Sequence, residues 1–201
     1  MANVEHSTLN ALTESHEPKG AVSAAEGQVY VADGAASGAW RHTPHGWGYY
    51  KDNASAQSIG TSDTKLSIDG AGSSTEVSYT PHEIRGSGAL WDTTADEITP
   101  IRVGDAYLLR LDLPITAKSG APSFIRLKLD IGGGATPANV IYQTDFAVPS
   151  SVPYTVSLGV PIFCLTTFAT NGGQLFLSVD SGTVSVTAPG ILIAKIGGGE
   201  F

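Results

Sequence analysis

The histidines are the first residues whose type and spacing could do chemistry. His42-x-x-His45, taken with His16 or His82, supplies imidazoles of the kind that hold zinc. No cysteine pair, no H-E-x-x-H spacing and no helix accompanies them, so they read as exposed loop histidines and no metal is expected. Asp92, Asp96, Glu97 and Asp105 could supply the paired carboxylates of a glycosidase. Nothing in the sequence sets their separation, and acids in turns are expected to be solvated. A nucleophilic serine needs a histidine and an acid in reach, yet Gly86-Ser87-Gly88 reads only as a short loop and no Gly-x-Ser-x-Gly occurs. Gly132-Gly133-Gly134 lacks both the Lys-Ser/Thr and the strand-loop-helix setting of a phosphate loop. The expectation is a protein without enzyme activity or cofactor.

The single cysteine, Cys164, cannot form an intramolecular disulfide. Inside an apolar run it is expected to be a small buried hydrophobe, which suits assembly in a reducing cytoplasm. The N-terminus carries no apolar core of a signal peptide, so the sequon Asn53-Ala54-Ser55 is expected to be idle. No apolar run approaches the roughly 20 residues of a membrane span, and no membrane insertion is expected. A net charge of -8 argues against sequence-independent nucleic-acid binding, which depends on basic groups.

The elements that must position any site are strands. A chain of 201 residues with 24 glycines and only 15% charged residues suggests an all-β protein with many turns. From Ala106 to Ile131 the pattern is clear: Tyr107, Leu109, Leu111, Leu113 and Ile115 share one face, Arg110, Asp112 and Thr116 the other. After a turn at Lys118–Pro122, Ile125, Leu127, Leu129 and Ile131 alternate with Arg126, Lys128 and Asp130. This reads as two amphipathic strands joined as a hairpin, each with one buried and one wet face. Further strands are expected near 65–69, 76–80, 98–103, 140–148 and 154–168, the last with a bulge, bend or edge position at Gly159 and Pro161. Ser181-Gly182 is expected to be a tight hairpin turn between 174–180 and 183–187. Ile191 to Ile196 is apolar on both faces, as expected of a central strand or a subunit contact. Eight or more short strands without a convincing helix predict a sandwich or jelly roll.

Before the head, Leu9 and Leu12 are too few to bury a core. Pro18 and Gly20 mark a change of direction, and 28–41 reads as a small hairpin that must dock elsewhere. Trp40, Trp47, Tyr49 and Tyr50 show no periodicity of their own, so they either make protein contacts or pack on the following domain. The expected division is 1–52 arm with hairpin, 53–64 connector and 65–201 head.

Two stretches carry resemblances. Ser15 to Ala21, with Gly27 to Gly34 and Gly38-Ala39-Trp40, resembles a segment near the start of short tailed-phage structural proteins. The portion from about Leu66 to Ile196, above all Ile98 to Ile115 and Gly190 to Ile196, resembles the jelly-roll head of the tumour necrosis factor and complement globular-head type. The resemblance implies an antiparallel jelly-roll sandwich behind an extended arm. It also implies a homotrimer on the virion surface, assembled in the host cytoplasm, as a capsid decoration protein or short head fibre. Its partners would be copies of itself and the major capsid protein or other virion proteins. The alternative is a short tail fibre or spike tip that binds a host-surface glycan or receptor. Particle anchoring would then fall to Leu9, Leu12, His16, Pro18, Lys19, Tyr30, Trp40, Trp47, Tyr49 and Tyr50. The subunit interface would fall to Tyr107, Tyr142, Phe146, Phe176, Ile191 and Ile193.

Overall fold

The computed structural model describes residues 24–25, 28–34, 37–43, 45–53 and 55–198. The chain divides into two compact units, with the boundary between Thr43 and Pro44. In the first unit β1 (Gln28–Gly34) and β2 (Ser37–His42) form an antiparallel ladder in which Tyr30 stands opposite Trp40.

Among the described residues the second unit contains twelve strands: β3 (Gly46–Lys51), β4 (Ala56–Ile59), β5 (Thr64–Lys65), β6 (Trp91–Asp92), β7 (Glu97–Ile98), β8 (Ala106–Ser119), β9 (Phe124–Asp130), β10 (Val140–Ala147), β11 (Tyr154–Phe163), β12 (Gln174–Val179), β13 (Thr183–Thr187) and β14 (Gly190–Gly197). One short helix, α1 (Thr166–Asn171), lies between β11 and β12. Four strands pair in the order β10-β9-β12-β5; six make the other sheet, β3-β14-β8-β13-β4 with β11 along β8. From β8 onward four of the six connections cross between the two sheets, the wiring of an antiparallel jelly roll.

The core lies where the two sheets face each other. Leu109, Leu111, Leu113 and Ile115 of β8 meet Ile125, Leu127 and Leu129 of β9, together with Leu175, Leu177, Ile191 and Ile193, all in one buried cluster. The period-two pattern therefore identifies the buried faces correctly. It does not identify partners. β8 pairs with β11, β13 and β14, and β9 with β10 and β12, so the expected hairpin is instead two strands stacked across the core. Both arrangements require the same alternation, because each strand needs one apolar face either way.

Ser181-Gly182 is likewise a crossing between sheets, since β12 and β13 pair with different partners. Gly182 has a φ of +64°, and a Cβ there would collide with the Ser119 carbonyl oxygen. β11 ends at Phe163 and gives way to α1, where a strand was expected to continue. Among the described residues β11 pairs with β8 alone, which agrees with the edge position expected from Gly159 and Pro161. Glu76 to Thr80 makes a single bridge, Glu76 with Tyr49, followed by turns.

Two strands fall within the spans expected to be arm and connector. β3 occupies the edge of the six-stranded sheet beside β14, and β4 pairs with β13, so both belong to the sandwich.

Candidate functional site

The outward face of the six-stranded sheet is the first candidate. Register places Trp47, Ala194, Leu108 and Pro161 in one row across β3, β14, β8 and β11, with Tyr49, Leu192, Arg110 and Gly159 in the next. Leu108 and Ile196 are 39% and 50% exposed; at the corner where β11 ends, Phe163 and Leu165 reach 72% and 68%. Such a group of large apolar side chains in contact with water is uncommon away from an interaction surface. Trp47 stacks on Tyr79 with ring centroids 5.1 Å apart. Arg110 pairs with Asp112 at 3.0 Å, and Ser157 donates to the same carboxylate at 2.7 Å, so the charge on this face is internally compensated. Burial and then the Asp112 carboxylate push the Tyr49 phenol upward, which keeps it neutral. A groove lined by Ile141, Tyr142, Pro161, Phe163 and Leu165 runs along β10 and β11, the edge strands that close one side of the sandwich.

The second candidate is a polar cluster under the same sheet. Lys195 follows Ile191 and Ile193 on the inward face of β14, stands opposite Tyr107, and has no exposed side-chain surface. Its Nζ lies 3.2 Å from Asp105 Oδ1 and 3.2 Å from Glu83 Oε1. Asp105 Oδ2 accepts from the Tyr107 hydroxyl at 2.9 Å and from the Arg102 N–H at 3.2 Å. The Tyr107 phenol is strongly raised, by burial foremost, and the Cys164 thiol is pushed up to about 11 by burial and then by Asp105. Asp105, Tyr107 and Cys164 were singled out in the sequence for other roles, and nothing there joined them to Lys195 and Glu83. The available signal was a lysine in register with two core isoleucines.

The expected sites are distributed differently. Leu9, Leu12, His16, Pro18 and Lys19 lie outside the described residues. Tyr30 and Trp40 meet edge to face in the first unit, with centroids 5.5 Å apart. Trp47 and Tyr49 belong to the head sheet, and Tyr50 is a core residue whose hydroxyl accepts from Leu90 N–H at 2.9 Å. A buried side chain tied in this way cannot anchor the chain to a particle. Tyr107, Ile191 and Ile193 are likewise core residues of the single chain, and Phe176 is fully buried on the opposite face of β12, beside Lys65 and Lys128. None of the four has surface to offer a neighbour. The cause is that β14 is covered by the opposing sheet on one side and paired on both edges, so its apolar inner face is satisfied within the chain. Tyr142 and Phe146 pack partly on the core from the edge strand β10, and keep some exposure.

Of the carboxylates, Asp92 caps the turn after it by accepting from the Thr94 and Ala95 amides, and Asp96 accepts from Ile68. Asp105, expected in water, is fully buried. Asp130, expected on a wet face, is also buried and accepts from the amides of Gly132, Ala138 and Asn139, which fixes the 132–139 loop. Among the described residues no three His, Cys, Asp or Glu side chains converge at metal-binding distance, and no helix is long and apolar enough to cross a membrane.

No protein-family model and no curated protein matches the chain. Among solved structures the chain is similar to Eiger TNF from S. frugiperda, at 12% identity and a TM-score of 0.47, covering 79% of this chain and 97% of that one. It is also similar to PRD1 vertex protein P5, at 16% identity and a TM-score of 0.40, covering 76% of this chain and 96% of that one. The antiparallel jelly roll stands on the strand pairing described above.

Proposed function

We propose that the chain is a non-enzymatic structural protein of a bacteriophage virion, a homotrimeric capsid decoration protein or short head fibre attached through its N-terminal arm. The observation that carries the assembly is the presence of two exposed apolar surfaces on one head. The outward sheet face offers Leu108 and Ile196, while the β10–β11 edge offers a groove with Phe163 and Leu165. A contact between the first patch of one copy and the second of the next would be head-to-tail, and a rotation that closes after a few copies would bury both without forming filaments. Tyr142 and Phe146 on β10 stand at this edge and would extend the contact. The resemblance of residues 15–40 to phage structural proteins supports the virion and gives the arm, with Tyr30 and Trp40, the attachment role. The proteins it would meet are the major capsid protein or other virion proteins.

Gold-labelled antibody against the head, applied to intact virions, tests the location. Label over the capsid is the expected result, and label confined to the tail would replace decoration with a tail-fibre or spike-tip role directed at a host glycan. Mass measurement of the purified chain tests the assembly; a trimer is expected, and a stable monomer at micromolar concentration would overturn it.

A further inference from the structure

We propose that Lys195 and Asp105 are joined by an intramolecular amide cross-link, formed with Glu83 as the proton carrier. The three side chains converge at one end of the sandwich. Lys195 Nζ touches one oxygen of each carboxyl at 3.2 Å, and neither Lys195 nor Asp105 has any exposed side-chain surface. Removing an ammonium and a carboxylate from water is costly, and their mutual attraction recovers that cost only when every remaining polar atom is hydrogen-bonded. Here that condition fails. Among the described residues Asp105 Oδ1 has no hydrogen-bond donor in bonding geometry, although Nζ lies against it.

The two oxygens of Asp105 are differentiated in the way an acyl substitution requires. Oδ2 is held by the Tyr107 hydroxyl and the Arg102 amide, two donors that would stabilise negative charge as it develops on that oxygen. Oδ1 is the oxygen facing the amine and carries no such anchor, so it is the one placed to leave. Glu83 takes one proton from the Lys195 ammonium and passes it to Oδ1; the neutral Nζ then attacks Asp105 Cγ, and a second proton passes from Nζ through Glu83 to Oδ1. The Cγ–Oδ1 bond breaks and Oδ1 departs as water. One ammonium and one carboxylate become one secondary amide and one water, with no change in oxidation state and no external reactant. Two buried charges disappear in the step. The burial that opposes the ion pair therefore favours the product, and fixed proximity replaces the activation that an amide normally needs. Glu83 is the one partly exposed member, 28% by side chain, and gives the released water a way out; the Arg102 guanidinium at 3.6 Å holds it in place.

Intact mass spectrometry of the purified full chain in denaturing solvent tests this. The expected mass is lower than that of the sequence by one water, and a tryptic digest should contain a branched peptide joining the segments that hold Asp105 and Lys195. Glu83→Gln and Lys195→Arg should restore the full mass. A wild-type chain at its full sequence mass, without the branched peptide, overturns the proposal even if a variant fails to fold. A water loss that persists in Lys195→Arg overturns it as well.

Discussion

The Tyr50 hydroxyl accepts the Leu90 N–H at 2.9 Å, which ties β3 to the segment ahead of β6. Both residues are buried, and the Leu90 amide depends on that oxygen. Tyr50→Phe keeps the ring and strands the amide, so it should destabilise the head by about 1–3 kcal/mol, the cost of a buried unsatisfied donor. Urea unfolding of the two chains measures the difference. An unchanged midpoint would mean that the amide has found another acceptor.

Leu108→Asp or Phe163→Asp should reduce the proposed trimer to a monomer without unfolding it. Both side chains are exposed in the single chain, so the effect on monomer stability should stay within about 0.5 kcal/mol. Light scattering gives the mass and circular dichroism the fold. A variant that remains trimeric would move the contact to another surface.

Asp130→Ala should release the 132–139 loop. Three amides lose a charged acceptor at once, worth about 3 kcal/mol if the loop cannot pair them elsewhere. Hydrogen exchange at Gly132, Ala138 and Asn139 should accelerate more in this variant than in Asp130→Asn, which keeps one carbonyl acceptor.

Cys164 should resist thiol reagents. Its thiol, ordinarily near 9.0, is raised to about 11 by burial and then by Asp105, so at pH 8 little thiolate exists in the folded chain. The raised value also sets a direction for stability. Between about 9 and 11 the unfolded thiol ionises while the folded one does not, and the folded state loses this contribution as pH rises. Labelling with an aromatic disulfide followed from pH 7 to 10 checks both statements, and rapid native labelling at pH 8 would refute them.

The strands β8 and β9 were legible because a strict alternation of Leu and Ile with charged residues fixes which face is buried. Their partners were not, since a strand stacked across a core and a strand beside it leave the same pattern. β3 was hidden for a different reason. Gly48 occupies an inward position where an apolar side chain would mark the period, and the ring of Tyr50 fills the space instead: a Cβ on Gly48 would sit 2.9 Å from Tyr50 Cε2. The aromatics of 47–50 therefore read as irregular when they are an alternating strand. The polar cluster escaped because a lysine among isoleucines looks like the wet end of a strand, and only Glu83 and Asp105, distant in sequence, show that the end is covered.

β3 is also the first strand of the sandwich, bonded to β14 from Gly46↔Lys195 to Lys51↔Gly190. A pull on the chain ahead of Gly46, directed along the strand, loads the β3–β14 bonds in parallel as a shear, and they must fail together rather than one at a time. If the head is held through the proposed arm, drag on it would load this ladder where the chain enters the sheet, beside Lys195.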